Sequence, residues 1–431
     1  MANSTPSTPK RGMSKLGSLF GALAVIGMIF FSQSCSGFEL PPETPSEPGL
    51  LPTITASPTS IPVTVIVTPL GTPTPAPSGG EPTDAPTPEP PQVTTIPIPL
   101  GYGATHDFWQ VFFTAPTGSR DSSTYVGGID TQLAAAIDAV EGTIDIAAFE
   151  FNNPVLTQAL LDARSRGVLV RMVVDNEHGL QDDESTLQQL IDAGVIVVDD
   201  GRTALMHNKF MILDGQTVWT GSWNYTINDT YRNNNNALAV RSRRLAVNYQ
   251  EEFNEMFLQG LFGVRSPSAS PFDRFTLNGI PMAVHFAPED DVIDSMLDVI
   301  TQAQTSIRFM TFSFTLDNIA DVLVERADHG VSVQGIYETV GSQTAFSTLR
   351  PLFCAGLPVR QDGSPFALHH KVFIVDDTTV ITGSFNFSAS ATRNNDENML
   401  IIHDPVLAQQ YMTEFDRRWA EAVLPSSLTC E

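Results

Sequence analysis

The chain has 431 residues, 42% of them hydrophobic, enough for two domains or one large pseudo-symmetric body with an ample core. Against 23 Lys and Arg stand 48 Asp and Glu, a formal net charge of −25. That balance opposes the basic face of an ordinary nucleic-acid binder and suits a soluble, exported protein; a local basic cleft inside an acidic shell stays compatible with it.

Residues 1–35 have the form of a targeting segment. Lys10, Arg11 and Lys15 open it, Leu16–Phe31 is an apolar core, and the small residues Ser32 and Ser34 precede Cys35. Cys35 after Ser34 resembles a bacterial lipoprotein processing site, with Ser32 where leucine is usual. Lipidation at Cys35, plain cleavage nearby and retention as an anchor all stay open: the apolar run falls short of the ~20 residues that span a bilayer, but Ser32–Cys35 extend it. Residues 36–105 are rich in proline and threonine, as in Thr72-Pro-Thr-Pro-Ala-Pro77, and read as a disordered stalk that holds the folded part off a surface.

The first half is read as residues 106–262. Leu133, Ile137 and Val140 recur at helical spacing. Ile144–Phe151 reads as a strand, Val155–Arg166 as a helix and Val168–Val174 as a strand. Then comes Leu205-Met-His-Asn-Lys-Phe-Met-Ile-Leu-Asp214, followed by Thr220-Gly-Ser-Trp-Asn224. Leu258 to Pro281 links to the second half, residues 263–431, which repeats the order. Ile293, Leu297 and Ile300 mark a helix, Ile307–Phe314 a strand, Ile319–Asp328 a helix and Val331–Tyr337 a strand. Leu368-His-His-Lys-Val-Phe-Ile-Val-Asp376 and Thr382-Gly-Ser-Phe-Asn386 close the pattern. The spacing from histidine to glycine is 14 residues in both copies (207 to 221, 369 to 383), and Phe149, Phe151 and Gly167 answer Phe312, Phe314 and Gly330 at an offset of 163. An internal duplication therefore runs through both halves. Alternating strands and helices imply α/β halves with largely parallel mixed sheets flanked by helices.

Phe210–Leu213 and Val372–Val375 read as buried strands, and residues two apart on a strand share a face. His207 and Lys209 therefore emerge together, as do His369 and Lys371. Asp214-Gly215 and Asp376-Asp377 read as tight turns into a second strand, after which Ser222 and Asn224, or Ser384 and Asn386, share a face. An imidazole, an ammonium, a hydroxyl and an amide suit a phosphodiester: lysine neutralises a phosphoryl oxygen while serine and asparagine donate to others. One imidazole attacks phosphorus and a second, protonated, supplies the leaving alcohol with its proton. Two ammonium groups beside the histidines argue against a metal there, and no cofactor is implied.

This duplicated H-x-K-x4-D with G-S-x-N resembles the phospholipase D superfamily, over roughly Phe112 to Trp419. The resemblance implies two pseudo-symmetric halves facing each other across one active site, with His207 as nucleophile, His369 as general acid and base, and Asp214 and Asp376 structural. Many members carry a carboxylate 11 residues past the asparagine of G-S-x-N. Here the second copy has Glu397 and the first has Asn235, a departure that makes the histidines unequal and leaves open which of them uses Glu397.

If Cys35 is lipidated, Cys354 and Cys430 remain as an even pair outside the cytoplasm; a disulfide between them and two free thiols are both open. His106, His178, His285, His329, His370 and His403 read as surface or packing residues, Trp223 and Phe385 as core, and Arg232 and Arg393 as caps. Asn176–Ser185 and Val340–Thr348 are the loops expected to set specificity. The leading expectation is a monomeric phospholipase D-like phosphodiesterase, exported as a secreted or cell-surface lipoprotein, acting on phospholipid at a membrane. A metal-independent endonuclease, a phosphatidyl transferase and a decayed surface-binding protein are the alternatives.

Overall fold

A computed structural model describes residues 92–426 and 428–430; the readings of residues 1–35, of Cys35 and of the stalk up to residue 91 lie outside them. Among the described residues no helix is long and apolar enough to cross a membrane. The first half builds a nine-stranded sheet from β1 (Thr94–Ile98), β2 (Gly101–His106), β3 (Trp109–Thr114), β4 (Thr143–Ala148), β5 (Leu169–Val174), β6 (Ile196–Asp199), β7 (Lys209–Leu213), β8 (Thr217–Gly221) and β9 (Asn236–Arg241). Its spatial order is β1-β2-β3-β9-β8-β7-β4-β5-β6. The second half builds an eight-stranded sheet from β10 (Arg274–Leu277), β11 (Ile280–Ala287), β12 (Ser306–Thr311), β13 (Ser332–Tyr337), β14 (Val359–Gln361), β15 (Lys371–Val375), β16 (Thr379–Gly383) and β17 (Glu397–Ile402). Its order is β10-β11-β17-β16-β15-β12-β13-β14.

The α/β class and the two mixed sheets agree with the sequence, but the pairing is less parallel than expected. Among the strands of the described residues, only β4-β5-β6 and β12-β13-β14, joined by helical crossovers, run parallel. The motif strands return through tight turns whose two central residues have positive φ, Asp214 (51°) with Gly215 (59°) and Asp376 (52°) with Asp377 (55°). Such a turn joins antiparallel strands only. A second difference lies at the start. β1 and β2 fall within the range read as stalk, because Thr94, Thr95, Ile96 and Ile98 pair antiparallel with β2, which pairs in turn with β3. The fold thus begins before residue 106.

Strand alternation explains three apolar layers. Phe210 and Ile212, with Val372 and Ile374, face a central core between the sheets, filled by Tyr249 and Phe253 of the helix Arg243–Gln259 and by Tyr411 and Phe415 of the helix Pro405–Glu421. Met211 and Leu213 face an outer core with Leu156 and Leu160, whereas Phe373 and Val375 face another with Ile319 and Leu323. The outer helices start as their sequences dictate: the Asn153 side chain caps Pro154–Ser165 by accepting from the Val155 and Leu156 amides. Cys354 and Cys430 form a disulfide, their Cα atoms 5.4 Å apart, which ties the end of the chain to the second half.

The glycine of each G-S-x-N is required by close approach. Gly221 (φ 143°) and Gly383 (φ 150°) lie where a Cβ would run into the carbonyls of Asn236 and Asn398 on the adjoining strand. The motif aspartates hold the hairpins to the sheet. Asp214 accepts from the amides of Glu141, Gly142 and Thr143, at 2.7 to 3.1 Å. Asp376 accepts from those of Gln304, Thr305 and Ser306, at 2.7 to 3.0 Å. Burial works against ionising Asp376, but these amides outweigh it and hold its carboxyl below the usual value. Replacing Asp376 by Ala orphans the three donors and is expected to lower unfolding stability by about 2 kcal/mol in denaturant titration. Asp321→Ala, on the exposed face of another helix, serves as the near-neutral control.

Candidate active site

The site lies at the carboxyl ends of the parallel strands, where Lys209 pairs with Ala148 and Lys371 with Thr311. The halves are stitched together at this level by two reciprocal main-chain bridges. His207 N donates to Asp396 O (2.9 Å) and Asp396 N to Leu205 O (2.9 Å); His369 N donates to Asn234 O (2.9 Å) and Asn234 N to Ala367 O (2.8 Å). Each histidine is thereby laid against the segment of the opposite half that carries residue 397 or 235.

The side chains follow the same exchange. His207 Nδ1 lies 2.7 Å from Glu397 Oε2, and His369 Nδ1 lies 2.9 Å from Asn235 Oδ1. The neighbours fix the tautomers. Ser222 Oγ accepts from the Asn236 amide, so its proton goes to Asn235 Oδ1 (2.9 Å), while Asn235 Nδ2 donates to Asp229 O. Asn235 therefore presents an acceptor, and His369 Nδ1 carries the proton. Ser384 repeats this, accepting from Asn398 N and donating to Glu397 Oε2 (2.7 Å). Both imidazoles keep Nε2 for a substrate. The serines were expected to donate to the phosphoryl group; the structure corrects this, since their hydroxyl protons are committed behind the histidines.

Each lysine sits over an aromatic ring, Lys209 Nζ 4.8 Å from the centre of Phe149 and Lys371 Nζ 4.8 Å from that of Phe312. Each donates to the carbonyl of its own histidine, at 2.7 and 2.9 Å. The same rings pack edge-on against His207 and His369, both at 4.8 Å. His207 and His369 are only 5% and 7% exposed. Burial, followed by the charges of the two lysines, holds both imidazoles well below their ordinary pKa, and His369 also feels His207. Burial likewise brings Lys209 down to about 8 and pushes Glu397 up to about 7. The Oδ1 atoms of Asn224 and Asn386 are buried without a partner, and Asn224 Nδ2 donates to Glu150 Oε2 (3.3 Å).

Three residues outside the repeated motif belong to this site. Asp229 Oδ2 lies 3.4 Å from His369 Nδ1, so a carboxylate does stand beside that ring, supplied from six residues before Asn235. Glu150 lies between Phe149 and Phe151, where burial and then Asp229 lift its carboxyl to about 7. His178, read as a surface or packing residue, stacks on Phe149 at 4.7 Å with Nδ1 3.1 Å from Asp175 Oδ1. The signal for all three was a mismatch between the copies: the second half has Ala391, Ser313 and Gly341 at the corresponding places.

The remaining sequence readings fall outside the chemistry. Trp223 and Phe385 are buried in the outer cores. Arg232 packs over Phe366 and donates to Asn228, while Arg393 ends a short helix. His370 is buried at the junction of the halves between Asn236 Nδ2 (3.1 Å) and Glu414 Oε1 (3.1 Å).

Comparison with known proteins gives the family. The chain is 36% identical over 132 residues to the mitochondrial cardiolipin hydrolase of Xenopus tropicalis, covering 31% of this chain and 63% of that protein. It is 30% identical over 154 residues to phospholipase D of Rickettsia bellii, 36% of this chain and 77% of that protein. The chain thus spans under two thirds of the length of the Xenopus relative. In fold alone it is similar to phosphatidylserine synthase of Haemophilus influenzae Rd KW20, at 16% identity and a TM-score of 0.55 over 70% of this chain and 87% of that one. A family profile described as "Cardiolipin synthase, PLD-like domain" matches twice, at residues 133–257 and 296–419, and the chain therefore belongs to the phospholipase D superfamily, with two copies of its domain in one chain.

Proposed function

We propose that the protein is a phospholipase D-type phosphodiesterase that cleaves a phospholipid phosphodiester through a phosphohistidine on His207. The observation that carries this is the exchange of Nδ1 partners between the halves, which leaves two Nε2 atoms for one phosphorus. Glu397 behind His207 supports the positive charge that its ring gains when Nε2 bonds phosphorus, which favours His207 as nucleophile. In the first step Nε2 of His207 attacks phosphorus, the P–O bond to the leaving alcohol breaks, and that oxygen takes the proton from Nε2 of His369. In the second, water gives a proton to His369 and its oxygen attacks phosphorus, so the P–N bond breaks and both rings return. Lys209 and Lys371 pair with the non-bridging oxygens throughout.

A lipid substrate is supported by the names of the relatives and by the loop after β13, where Val340 and Phe346 are 79% and 81% exposed. The leader pattern of residues 1–35 and the stalk support export and attachment at a membrane surface, with Cys35 as the tether where it is lipidated.

With full-length protein and mixed phospholipid vesicles, His207→Ala and His369→Ala are each expected to reduce phosphatidate release by at least about 10³-fold. His369→Ala should let labelled phosphate accumulate on His207. Full activity in either variant would end the proposed chemistry. Plasmid nicking with intact vesicles would keep the chemistry and move the substrate to nucleic acid, and a phosphatidyl product from an added primary alcohol would make the enzyme a transferase.

The pH profile of kcat, which reports the enzyme with the phosphodiester between its lysines, follows from the carboxylates. Activity should fall below about pH 7 as Glu397 takes up a proton. Glu397→Gln is expected to flatten that acid limb and lower kcat by about 10²-fold. A carboxylate in place of the Asn235 amide stabilises the His369 imidazolium, so Asn235→Asp should carry the alkaline limb to higher pH. An unmoved alkaline limb in that variant would take the acid role from His369.

A further inference from the structure

The helices Arg243–Gln259 and Pro405–Glu421 are counterparts, and Glu252 of the first answers Glu414 of the second at the histidine offset of 162 (207 to 369, 252 to 414). Both are buried glutamates behind the active site, yet they are neutralised differently. Glu414 meets His370 Nε2 (3.1 Å), Arg418 Nε (3.3 Å) and the Tyr102 hydroxyl. At the positions of His370 and Arg418 the first half has Asn208 and Met256, so Glu252 Oε1 receives the Asn208 amide (2.9 Å) in place of an imidazole and a guanidinium.

What faces Glu252 is two more carboxylates. Glu255 comes from the next turn of the same helix and Glu289 from the segment after β11 in the other half; one oxygen of each of the three lies within 4.8 Å of the others. Glu255 is 4% exposed, and Oε2 of Glu255 and Oε2 of Glu289 are buried without a hydrogen-bond partner. The charges acting on the cluster from around it, Glu251, Asp290 and Asp396, have the same sign. A cavity of about 10 Å³ lies among the three carboxylates, walled by Pro267 and Phe286, with room for one small ion.

We propose that Glu252, Glu255 and Glu289 bind a Ca²⁺ ion that clamps the first half to the second. An all-oxygen set of three carboxylates suits a hard cation. Ca²⁺ fits better than Mg²⁺, which keeps several waters and demands octahedral order that this small, walled space cannot supply. The ion takes no part in bond breaking. Its influence runs through Glu252 to Asn208, the neighbour of His207, whose Oδ1 accepts from Asn398 Nδ2 (2.8 Å), the neighbour of Glu397. The second half reaches the same end with Arg418 and His370.

The test uses full-length protein stripped with chelator, then titrated with CaCl₂ or MgCl₂ by calorimetry and followed by thermal unfolding. Ca²⁺ is expected to raise Tm by about 5 °C at saturation and Mg²⁺ by much less. Glu255→Gln and Glu289→Gln should each weaken Ca²⁺ binding at least tenfold and abolish the rise, while melting no lower than wild type in chelator because each removes repulsion. Asp321→Asn should keep both the binding and the rise. Absence of a Ca²⁺-dependent rise in the wild type would show that the cluster holds protons instead and would overturn the proposal. So would a rise that survives in both Gln variants, which would place the ion elsewhere on the acidic surface.

Discussion

Everything near the active site depends on one exchange, in which each half supplies the group that orients the other half's imidazole. His207 is held by Glu397 and His369 by Asn235, and the main-chain bridges beside them bring those partners to within hydrogen-bond reach. Neither half alone contains an oriented histidine. The exchange continues behind the site, where Asn398 accepts from Thr220 and Tyr249 while Asn236 accepts from Thr382 and Tyr411. Each asparagine, on its own strand, thus ties a hydroxyl of the opposite sheet to the central core. Buried polar groups of this kind are costly unless every one has a partner, so the network favours a single docking register of the halves.

Within that symmetric frame the copies differ where charge matters. Glu397 faces Asn235, Asp229 replaces Ala391, Glu150 replaces Ser313, and His178 replaces Gly341. The backbone changes at the last of these places, where Gly341 takes φ 92° at a kink while His178 lies inside a helical turn; the charge changes at all four. The side of His207 has a carboxylate bonded directly to the ring. The side of His369 has an amide on the ring and a carboxylate 3.4 Å away. In the proposed reaction, a charge at hydrogen-bond distance supports the cationic phosphohistidine, and a charge slightly removed suits a ring that gives up its proton and regains it within one cycle.

The fold and the twin motif were legible because they rest on local rules. Strand alternation placed Lys209 with His207, and the turn residues fixed where Asp214 and Asp376 fall. The offset of 162 to 163 residues revealed the second half from the first. The cross-half partner of each histidine was not legible, since spacing along one chain does not say which hairpin leans on which. The serines were misplaced for the same reason: a shared strand face identified their neighbours but not whether the hydroxyl points toward the cleft or behind the ring. β1 and β2 were hidden by composition, because proline- and threonine-rich sequence continues up to strands that gain their order only by pairing with β3. Asp229, Glu150 and His178 lie in positions where no motif is expected, and only subtraction of one copy from the other exposes them.

The charges around the two histidines make the phosphodiester itself the trigger of the proposed reaction. Burial first, and then the charges of the buried lysines, holds both imidazoles neutral, so the acid that the proposed reaction needs is not yet charged. An entering phosphodiester brings a negative charge between the lysines and offsets their repulsion of His369. The proton on its Nε2 is then stabilised at the moment the leaving oxygen requires it. His207 responds differently to the same event, because Glu397 already receives its Nδ1 proton and its Nε2 is directed at phosphorus. In the proposed reaction, substrate arrival thus converts two similar neutral rings into a nucleophile and an acid, and the exchanged Nδ1 partners favour His207 for the first role and His369 for the second.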